Sequence, residues 1–143
     1  MKSPYIQLTN IVRFSIKKKR CFLFFLFIFL SITQAFGNES IDIAAIYALT
    51  GVAAEANAPT LQGVRYAVDE INNQGGVLGK TINLLVFDNQ STPIGSTIAA
   101  KQAAKAGVVG IVGSDWSSHS IGVAKVAQNE GIPMISSYST NPE

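Results

Sequence analysis

Short apolar segments alternate with helix-like segments from Ile41 onward, and this alternation constrains the fold more than any other feature of the chain. The apolar segments predict four β-strands, over residues 41–47, 81–87, 108–113 and 132–136. The segments between them predict three helices, over residues 60–73, 94–106 and 117–130. This order, with short connections, predicts an α/β fold in which an open parallel sheet carries helices on both faces.

The first helix is expected to begin at Thr60, because Pro59 directly before it is a common entry signal. The preceding residues 48–59 are expected to form a loop. The sequence GGVLG, at residues 75–79, follows this helix rather than a strand and lacks a Lys-Ser/Thr pair. It therefore predicts a helix end and a tight turn, not a phosphate-binding loop.

Residues 1–37 have a different character from the rest of the chain. They hold six of the eleven basic residues, no acidic residue, and the apolar run CFLFFLFIFL. A basic region, a short apolar core and the small residues Ala35 and Gly37 predict a secretory signal peptide, cleaved after Gly37 or, as second choice, after Ala35. The alternative is an uncleaved transmembrane anchor, which needs about 20 apolar residues. Cys21 precedes the apolar core, so lipidation is not expected.

The remaining residues, 38–143, contain five basic and nine acidic side chains and carry a net charge of −4. This part has no basic patch, so nucleic acid is not an expected partner. It also has no cysteine, because Cys21 is the only one, and so no intrachain disulfide can form.

The sequence GSDWSSHS, at residues 113–120, follows the third predicted strand, and ligands of parallel sheets bind beyond the carboxyl ends of the strands. It contains the residue types of a hydrolase site, but side chains one or two residues apart on a helix do not face each other. No G-x-S-x-G elbow is present either. We therefore expect no enzyme, and we expect His119 to be solvated. One histidine and scattered carboxylates predict no metal site and no cofactor.

The same segment suits the binding of a small anion. A helix that begins near Ser117 presents free backbone N–H groups and a partial positive charge, so a carboxylate fits there without a basic side chain. The Ser117 hydroxyl can donate a further hydrogen bond to that anion, or it can cap the helix instead. The physics of the segment leaves both roles open.

Three stretches of the chain carry a family resemblance, namely IDIAAIYALTG, LQGVRYAVDEINNQGGVLGKTINLLVFDNQSTP and GVVGIVGSDWSSHSIGVAKVAQNEGIPMISSYSTNPE. They contain an L-T-G loop, the pattern E-I-N-x-x-G-G-x-x-G, a D-x-x-x-x-P turn and the segment S-T-N-P in fixed order. Residues 41–143 in this way resemble the leucine/isoleucine/valine-type periplasmic solute-binding proteins of ABC transporters. The resemblance implies a type I periplasmic-binding-protein fold, whose two α/β lobes close on a ligand, with residues 38–143 as an incomplete first lobe.

The resemblance also implies roles for particular residues. Ser117 would bind the carboxylate of an amino acid through its hydroxyl and its backbone N–H. Thr140 would contact both the carboxylate and the ammonium group, and the backbone carbonyl of Tyr138 would accept a hydrogen bond from the ammonium. Ser139 and Trp116 complete the predicted set of ligand-binding residues. Trp116 would either form a wall of the pocket or pack between loops.

The chain departs from the family pattern at several positions. Many relatives join the second and third strand-end loops by a disulfide, and Ser91 and Trp116 occupy the matching positions here. Ala56 lies near the place of an aromatic residue that walls the pocket in relatives, so the preferred ligand side chain stays open. The sequence stops at Glu143, inside the first lobe, and we expect such a fragment to bind weakly by itself.

The resemblance implies an extracytoplasmic solute-binding component of an ABC importer, located in the periplasm. It would bind an amino acid or a related small carboxylate or amide and deliver it to a membrane permease. Two alternatives are a ligand-sensing extracellular domain of a receptor or signalling protein, and a non-functional truncated fragment.

Overall fold

The computed structural model describes residues 40–141 of the chain. Its elements, in chain order, are β1 (Ser40–Tyr47), α1 (Ala54–Asn73), β2 (Thr81–Asp88), α2 (Pro93–Lys105), β3 (Gly110–Gly113), α3 (Ser117–Glu130) and β4 (Met134–Ile135). The predicted signal peptide, residues 1–37, lies outside the described residues. Within the described range, no helix has the combination of length and apolar character that crossing a membrane requires.

The four strands form one parallel sheet in the order β2-β1-β3-β4. The pairing of β1 with β2 runs from Ser40 opposite Thr81 to Tyr47 opposite Asp88, and β1 pairs with β3 on its other side. After β2 the chain thus crosses to the opposite side of β1. Such a reversal of strand order opens a crevice between the loops that follow the two central strands, β1 and β3.

Helices cover both faces of the sheet, which confirms the predicted α/β fold class. On one face, Ala44 and Ile46 of β1 pack against α2 and α3. The buried side chains that these two helices contribute are Ala99, Ala100, Ala103, Val123, Val126 and Ala127. On the other face, Ala45 and Tyr47 pack against Leu61 of α1. The alternation of β1 side chains between two apolar layers explains why its sequence is apolar on both faces.

The first helix begins at Ala54, so the prediction that it starts at Thr60 was wrong. Pro59 lies inside the helix, where it cannot donate a backbone hydrogen bond to the residue four positions before it. Contacts from outside hold the early turns: the buried side chain of Asn57 accepts a hydrogen bond from the Ala48 N–H at 3.0 Å. A tertiary contact therefore stabilises the helical turns that precede Thr60, the residue at which the local sequence predicts the helix to start.

The last two strands are shorter than predicted. β3 is Gly110–Gly113 instead of 108–113, and β4 is Met134–Ile135 instead of 132–136. Some apolar residues of the flanking connections are packed as well: Val108 is 4% exposed, whereas its neighbour Val109 is 58% exposed. An apolar run in the sequence can therefore be longer than the strand it contains, because buried residues also occur outside the hydrogen-bonded part of the strand.

The last helix, α3, has the predicted bounds, and its end has a clear physical cause. Gly131 follows it with φ 68° in the left-handed conformation, which glycine adopts without a steric penalty. The start of α2 is equally well marked, because the Thr92 hydroxyl accepts a hydrogen bond from the Gly95 N–H at 2.8 Å and Pro93 occupies the first helical position.

Candidate ligand-binding site

The loops after β3 and β4 lie side by side because these strands are neighbours in the sheet. Ser117 is the first residue of α3, directly after the β3 loop, and Thr140 lies in the loop after β4. The backbone N–H groups of Thr140 and Asn141 donate to the Ser117 hydroxyl oxygen, at 3.2 and 3.1 Å. Two residues predicted to bind a ligand therefore lie together at the carboxyl edge of the sheet.

The hydroxyl of Ser117 contacts this loop and does not cap α3. The residue before the helix is Trp116, and no side chain there accepts a hydrogen bond from the first turn. Because the Ser117 oxygen accepts the two loop N–H groups, its own proton is the donor that it can offer to a ligand. The first turn of α3 adds the partial positive charge of a helix N-terminus at the same place.

The prediction that His119 is solvated was wrong, because only 3% of its surface is exposed. Its position in the first turn of α3 directs the ring toward the loop after β2, where the Asn89 amide nitrogen lies 3.5 Å from its Nδ1 atom. Burial lowers the pKa of His119 below its ordinary value of 6.5, so the imidazole is neutral near pH 7.

The structure shows the surroundings of Trp116, for which two roles were left open. Its ring lies 5.3 Å from the ring of His119 at an angle of 39°, so it packs against the first turn of α3. The side chain is also 43% exposed, directly beside Ser117. This exposed part of the indole is available as an apolar border of the site.

The loop after β4 presents some side chains to solvent and holds others in place. Tyr138 is 76% exposed and Thr140 is exposed as well, whereas Ser139 between them is half-buried. The Ser139 hydroxyl lies 2.6 Å from the hydroxyls of both Ser120 and Ser136. The side chain of Ser139 is therefore engaged within the protein and anchors the loop against α3.

Ser120 and Ser136, which join Ser139 in this serine cluster, were not predicted to belong to the site. Both also donate to the backbone carbonyl of Ser114, at 2.7 and 2.8 Å. The only sign in the sequence is that Ser117 and Ser120 share one face of a helix, and this spacing does not specify their partners. The cluster fixes the distance between the loops after β3 and β4.

Asp115 is directed toward the loop after β4 and not toward His119. Its carboxylate accepts a hydrogen bond from the Ser137 hydroxyl at 2.6 Å, and that hydroxyl lies 3.2 Å from the Tyr47 hydroxyl. Burial raises the pKa of Tyr47; the Ser137 hydrogen bond lowers it, and the charge of Asp115 raises it further. Among residues 40–141, no group of three His, Cys, Asp or Glu side chains could hold a metal ion.

Ser91 occupies one of the two positions where the resemblance implies a disulfide, and it contacts the loop after β1. Its hydroxyl donates to the Thr50 carbonyl at 2.7 Å and accepts from the Ala53 N–H at 2.9 Å. Trp116, at the other position, packs on His119 instead. Ala56, near the expected aromatic wall, is exposed in α1. The surroundings of these three residues do not indicate which ligand side chain the candidate site would prefer.

A shallow cavity of about 210 Å³ lies beside the site. Ser117, Ser139 and Asn141 border it together with Ile121 and Met134. This volume is below the roughly 300 Å³ at which enclosed ligand pockets begin. A larger open depression, about 550 Å³, lies along α3 and contains none of the predicted site residues. The described residues thus leave the candidate site open on one side.

Comparison with known proteins shows where this fold and sequence recur. The family model described as periplasmic binding protein matches residues 40–143. The leucine-specific-binding protein of Salmonella typhimurium is 28% identical over 114 residues, which cover 80% of this chain and 31% of the relative. The Leu/Ile/Val-binding protein of Rhizobium johnstonii is 33% identical over 106 residues, covering 74% and 29%. The chain therefore spans about a third of the length of these relatives.

Solved structures show the same similarity. A branched-chain amino acid transporter substrate-binding protein from Streptococcus pneumoniae, solved with isoleucine, matches with a TM-score of 0.71 and 28% identity. The match covers 73% of this chain and 30% of that one. A leucine-binding protein from Thermotoga maritima matches with a TM-score of 0.66 and 30% identity, covering 71% and 29%.

Proposed function

Because the chain belongs to the periplasmic binding protein family, we propose that it binds a free amino acid at the edge formed by α3 and the loop after β4. The Ser117 hydroxyl and the first-turn N–H groups of α3 hold the carboxylate. Thr140 contacts both charged groups of the ligand, and the Tyr138 carbonyl accepts a hydrogen bond from the ammonium group. Trp116 borders the side chain of the ligand.

The observation that carries this proposal is the contact between Ser117 and the backbone of Thr140 and Asn141. It places the Ser117 hydroxyl, whose own proton it can donate to a ligand, at the N-terminus of a helix and beside the loop that carries Thr140. A carboxylate has two oxygens and can accept from several such donors at once. The names of the relatives, which refer to leucine, isoleucine and valine, support a branched aliphatic amino acid as the ligand.

The exposure of the site sets the expected affinity. Because Trp116, Tyr138 and Thr140 are exposed, the described residues cover one side of a ligand and leave the other in water. A ligand that keeps half of its hydration gains little from burial, so we expect a dissociation constant on the order of 1 mM, which corresponds to about −4 kcal/mol.

We further propose that the protein acts in the periplasm as the solute-binding component of an ABC importer, which delivers the amino acid to a membrane permease. Two observations support this proposal. A matched structure is that of a branched-chain amino acid transporter substrate-binding protein, and residues 1–37 have the pattern of a secretory signal peptide.

Amide NMR spectroscopy of the ¹⁵N-labelled chain tests the binding proposal. Titration with isoleucine is expected to shift the amide signals of Ser117, Thr140 and Asn141 most strongly and to saturate in the millimolar range. Isoleucinol, which keeps the ammonium group and side chain but lacks the carboxylate, serves as the matched ligand control. We expect it to bind about tenfold more weakly, because the hydrogen bonds to the anion are lost.

Two results would contradict the proposal. One is an absence of saturable shifts with isoleucine, leucine and valine at concentrations of tens of millimolar, well above the expected constant. The other is an equal response to isoleucine and isoleucinol, which would show that the carboxylate is not held.

A further inference from the structure

Asn89 is a completely buried polar residue directly after β2, with 0% of its surface exposed. Its amide nitrogen donates to the Ser114 hydroxyl at 2.8 Å and lies 3.5 Å from Nδ1 of His119. Its amide oxygen accepts a hydrogen bond from the Ser91 N–H at 3.0 Å. The side chain of Asn89 therefore uses both ends, one in its own loop and one in the segment that begins α3.

Asn89 lies directly after β2, and its contacts join two loops that do not follow neighbouring strands. β2 and β3 are not neighbours, because β1 lies between them, so the sheet itself does not join their loops. The backbone N–H of Asn89 donates to the Tyr47 carbonyl at the end of β1, at 3.0 Å. From this fixed point the side chain reaches over β1 to Ser114 and His119, which are 0% and 3% exposed.

Ser114 and His119 stand on either side of Trp116 and Ser117 in the chain. Asn89 therefore holds the turn into α3 at both of its ends. Within residues 40–141, every buried side-chain nitrogen and oxygen has a hydrogen-bond partner. The partner that donates to the buried Ser114 hydroxyl is Asn89, and its loss would remove that donor. A buried group left without a partner pulls its segment toward water, which displaces the residues attached to it.

We propose that Asn89 is a positioning residue, which holds Ser117 and Trp116 in the geometry that binds the ligand by fixing Ser114 and His119. The part of this inference that concerns ligand binding rests on the proposed function, but the contacts of Asn89 can be tested without a ligand. Asn89 does not touch the site edge itself and acts only through the two residues that it binds.

Asn57 supplies a matched control, because it is an asparagine of similar burial that serves another element. It is 2% exposed, and its amide oxygen accepts from the Ala48 N–H at 3.0 Å. Asn57→Ala and Asn89→Ala each remove a buried, hydrogen-bonded asparagine, while only Asn89→Ala reaches the turn into α3. We expect Asn89→Ala to weaken isoleucine binding about tenfold and Asn57→Ala less than threefold, measured by amide NMR on the folded fraction of each variant.

A second pair of variants, Asn89→Asp and Asn57→Asp, gives a readout that needs no ligand. His119 is the only histidine, so its ring C–H signals can be followed through a pH titration. Burial lowers its pKa in the unchanged protein. A carboxylate at position 89 would favour the charged imidazolium and raise the pKa of His119 by at least one unit, whereas a carboxylate at position 57 would leave it unchanged. Asp115, the nearest acid in sequence, is directed to Ser137.

The two readouts separate the possible outcomes. An unchanged His119 pKa in Asn89→Asp would show that Asn89 does not face this ring and would overturn the inference. Equal losses of isoleucine affinity in Asn89→Ala and Asn57→Ala would overturn it as well, because the loss would then come from general destabilisation of the fold and not from the turn into α3. If the unchanged chain binds no isoleucine, the proposed function fails, and a raised His119 pKa in Asn89→Asp still supports the contacts that fix the turn.

Discussion

The carboxylate of Asp88 joins the loops after β1 and β2, and its removal should destabilise the fold measurably. It accepts hydrogen bonds from the backbone N–H groups of Leu49, Thr50 and Gln90, at 2.9, 3.3 and 2.8 Å. It also accepts one from the Thr50 hydroxyl at 2.6 Å. The substitution Asp88→Ala removes all four acceptor contacts, whereas Asp88→Asn keeps the size of the side chain and one of its oxygens.

The expected loss of stability follows from these four hydrogen bonds. The carboxylate is only partly buried, so water replaces each lost bond and the net cost is about 0.5 kcal/mol per bond, the low end of the usual range. Asp88→Ala should therefore lower the free energy of unfolding by about 2 kcal/mol. Asp88→Asn should lower it by about 1 kcal/mol, because it loses the charge and the acceptor for the Thr50 hydroxyl.

The pKa of Asp88 determines how the stability difference between the variants changes with pH. Burial raises the pKa of Asp88, but the hydrogen bonds from the Thr50 hydroxyl and from the N–H groups of Gln90, Leu49 and Thr50 outweigh it, so the net pKa lies below the ordinary 3.8. A lowered pKa in the folded state stabilises the fold fully above the unfolded value. The difference in stability between the unchanged chain and Asp88→Asn should be constant from about pH 7 to pH 5 and shrink below about pH 4.

Urea unfolding followed by circular dichroism measures these differences at each pH, provided that the slope stays the same among variants. Asp69→Asn is the matched control, because Asp69 is an exposed aspartate on α1, and surface substitutions usually change stability by less than about 0.5 kcal/mol. An Asp88→Ala variant as stable as the control, or a difference that does not change between pH 5 and pH 3, would refute the role assigned to the carboxylate.

Three further outcomes are expected. Ser117→Ala should weaken isoleucine binding by about 1 to 3 kcal/mol in the amide NMR titration, while the exposed neighbour variant Ser118→Ala should bind within about twofold of the unchanged chain. Gly113→Ala should cost at least about 2 kcal/mol in urea unfolding, because Gly113 has φ 113° and an added Cβ would collide with the Ile46 carbonyl oxygen. Intact-mass measurement of protein from a periplasmic extract should give a chain that begins at Asn38, and an unprocessed N-terminus there would contradict the signal-peptide prediction.

The element types and their order could be predicted from the sequence because each element has a distinct apolar period and a local end signal. α3 shows this best: its apolar spacing and Gly131 define it without reference to the rest of the molecule. The start of α1 could not be predicted, since Pro59 is a strong local signal and the contact from Asn57 to Ala48 that overrides it joins separate elements. Local patterns reveal local causes, and the errors fall where a tertiary contact decides.

The candidate site divides in the same way. The strand-end rule places Ser117 and Thr140 at one edge, and the structure joins them by a hydrogen bond. The burial of His119 and the contacts of Asn89 depend on how the Asn89 side chain reaches over β1, which no periodicity encodes. The L-T-G loop and the D-x-x-x-x-P turn, which the sequence shows only as separate motifs, become one hydrogen-bonded unit through Asp88.

The chemistry of the site edge matches the charge of the ligand that we propose. A free amino acid is a zwitterion, so a lysine or arginine that attracts its carboxylate would also repel its ammonium group a few ångströms away. Hydroxyls and backbone groups have no such cost, because a backbone N–H donates to the carboxylate, a backbone carbonyl accepts from the ammonium group, and a hydroxyl can do either. The hydrogen bonds of the serine cluster and of Asn89 already connect the loops that carry these neutral groups. Under this proposal, binding loses little free energy to ordering of the loops, and neutral groups are enough to hold a small zwitterion.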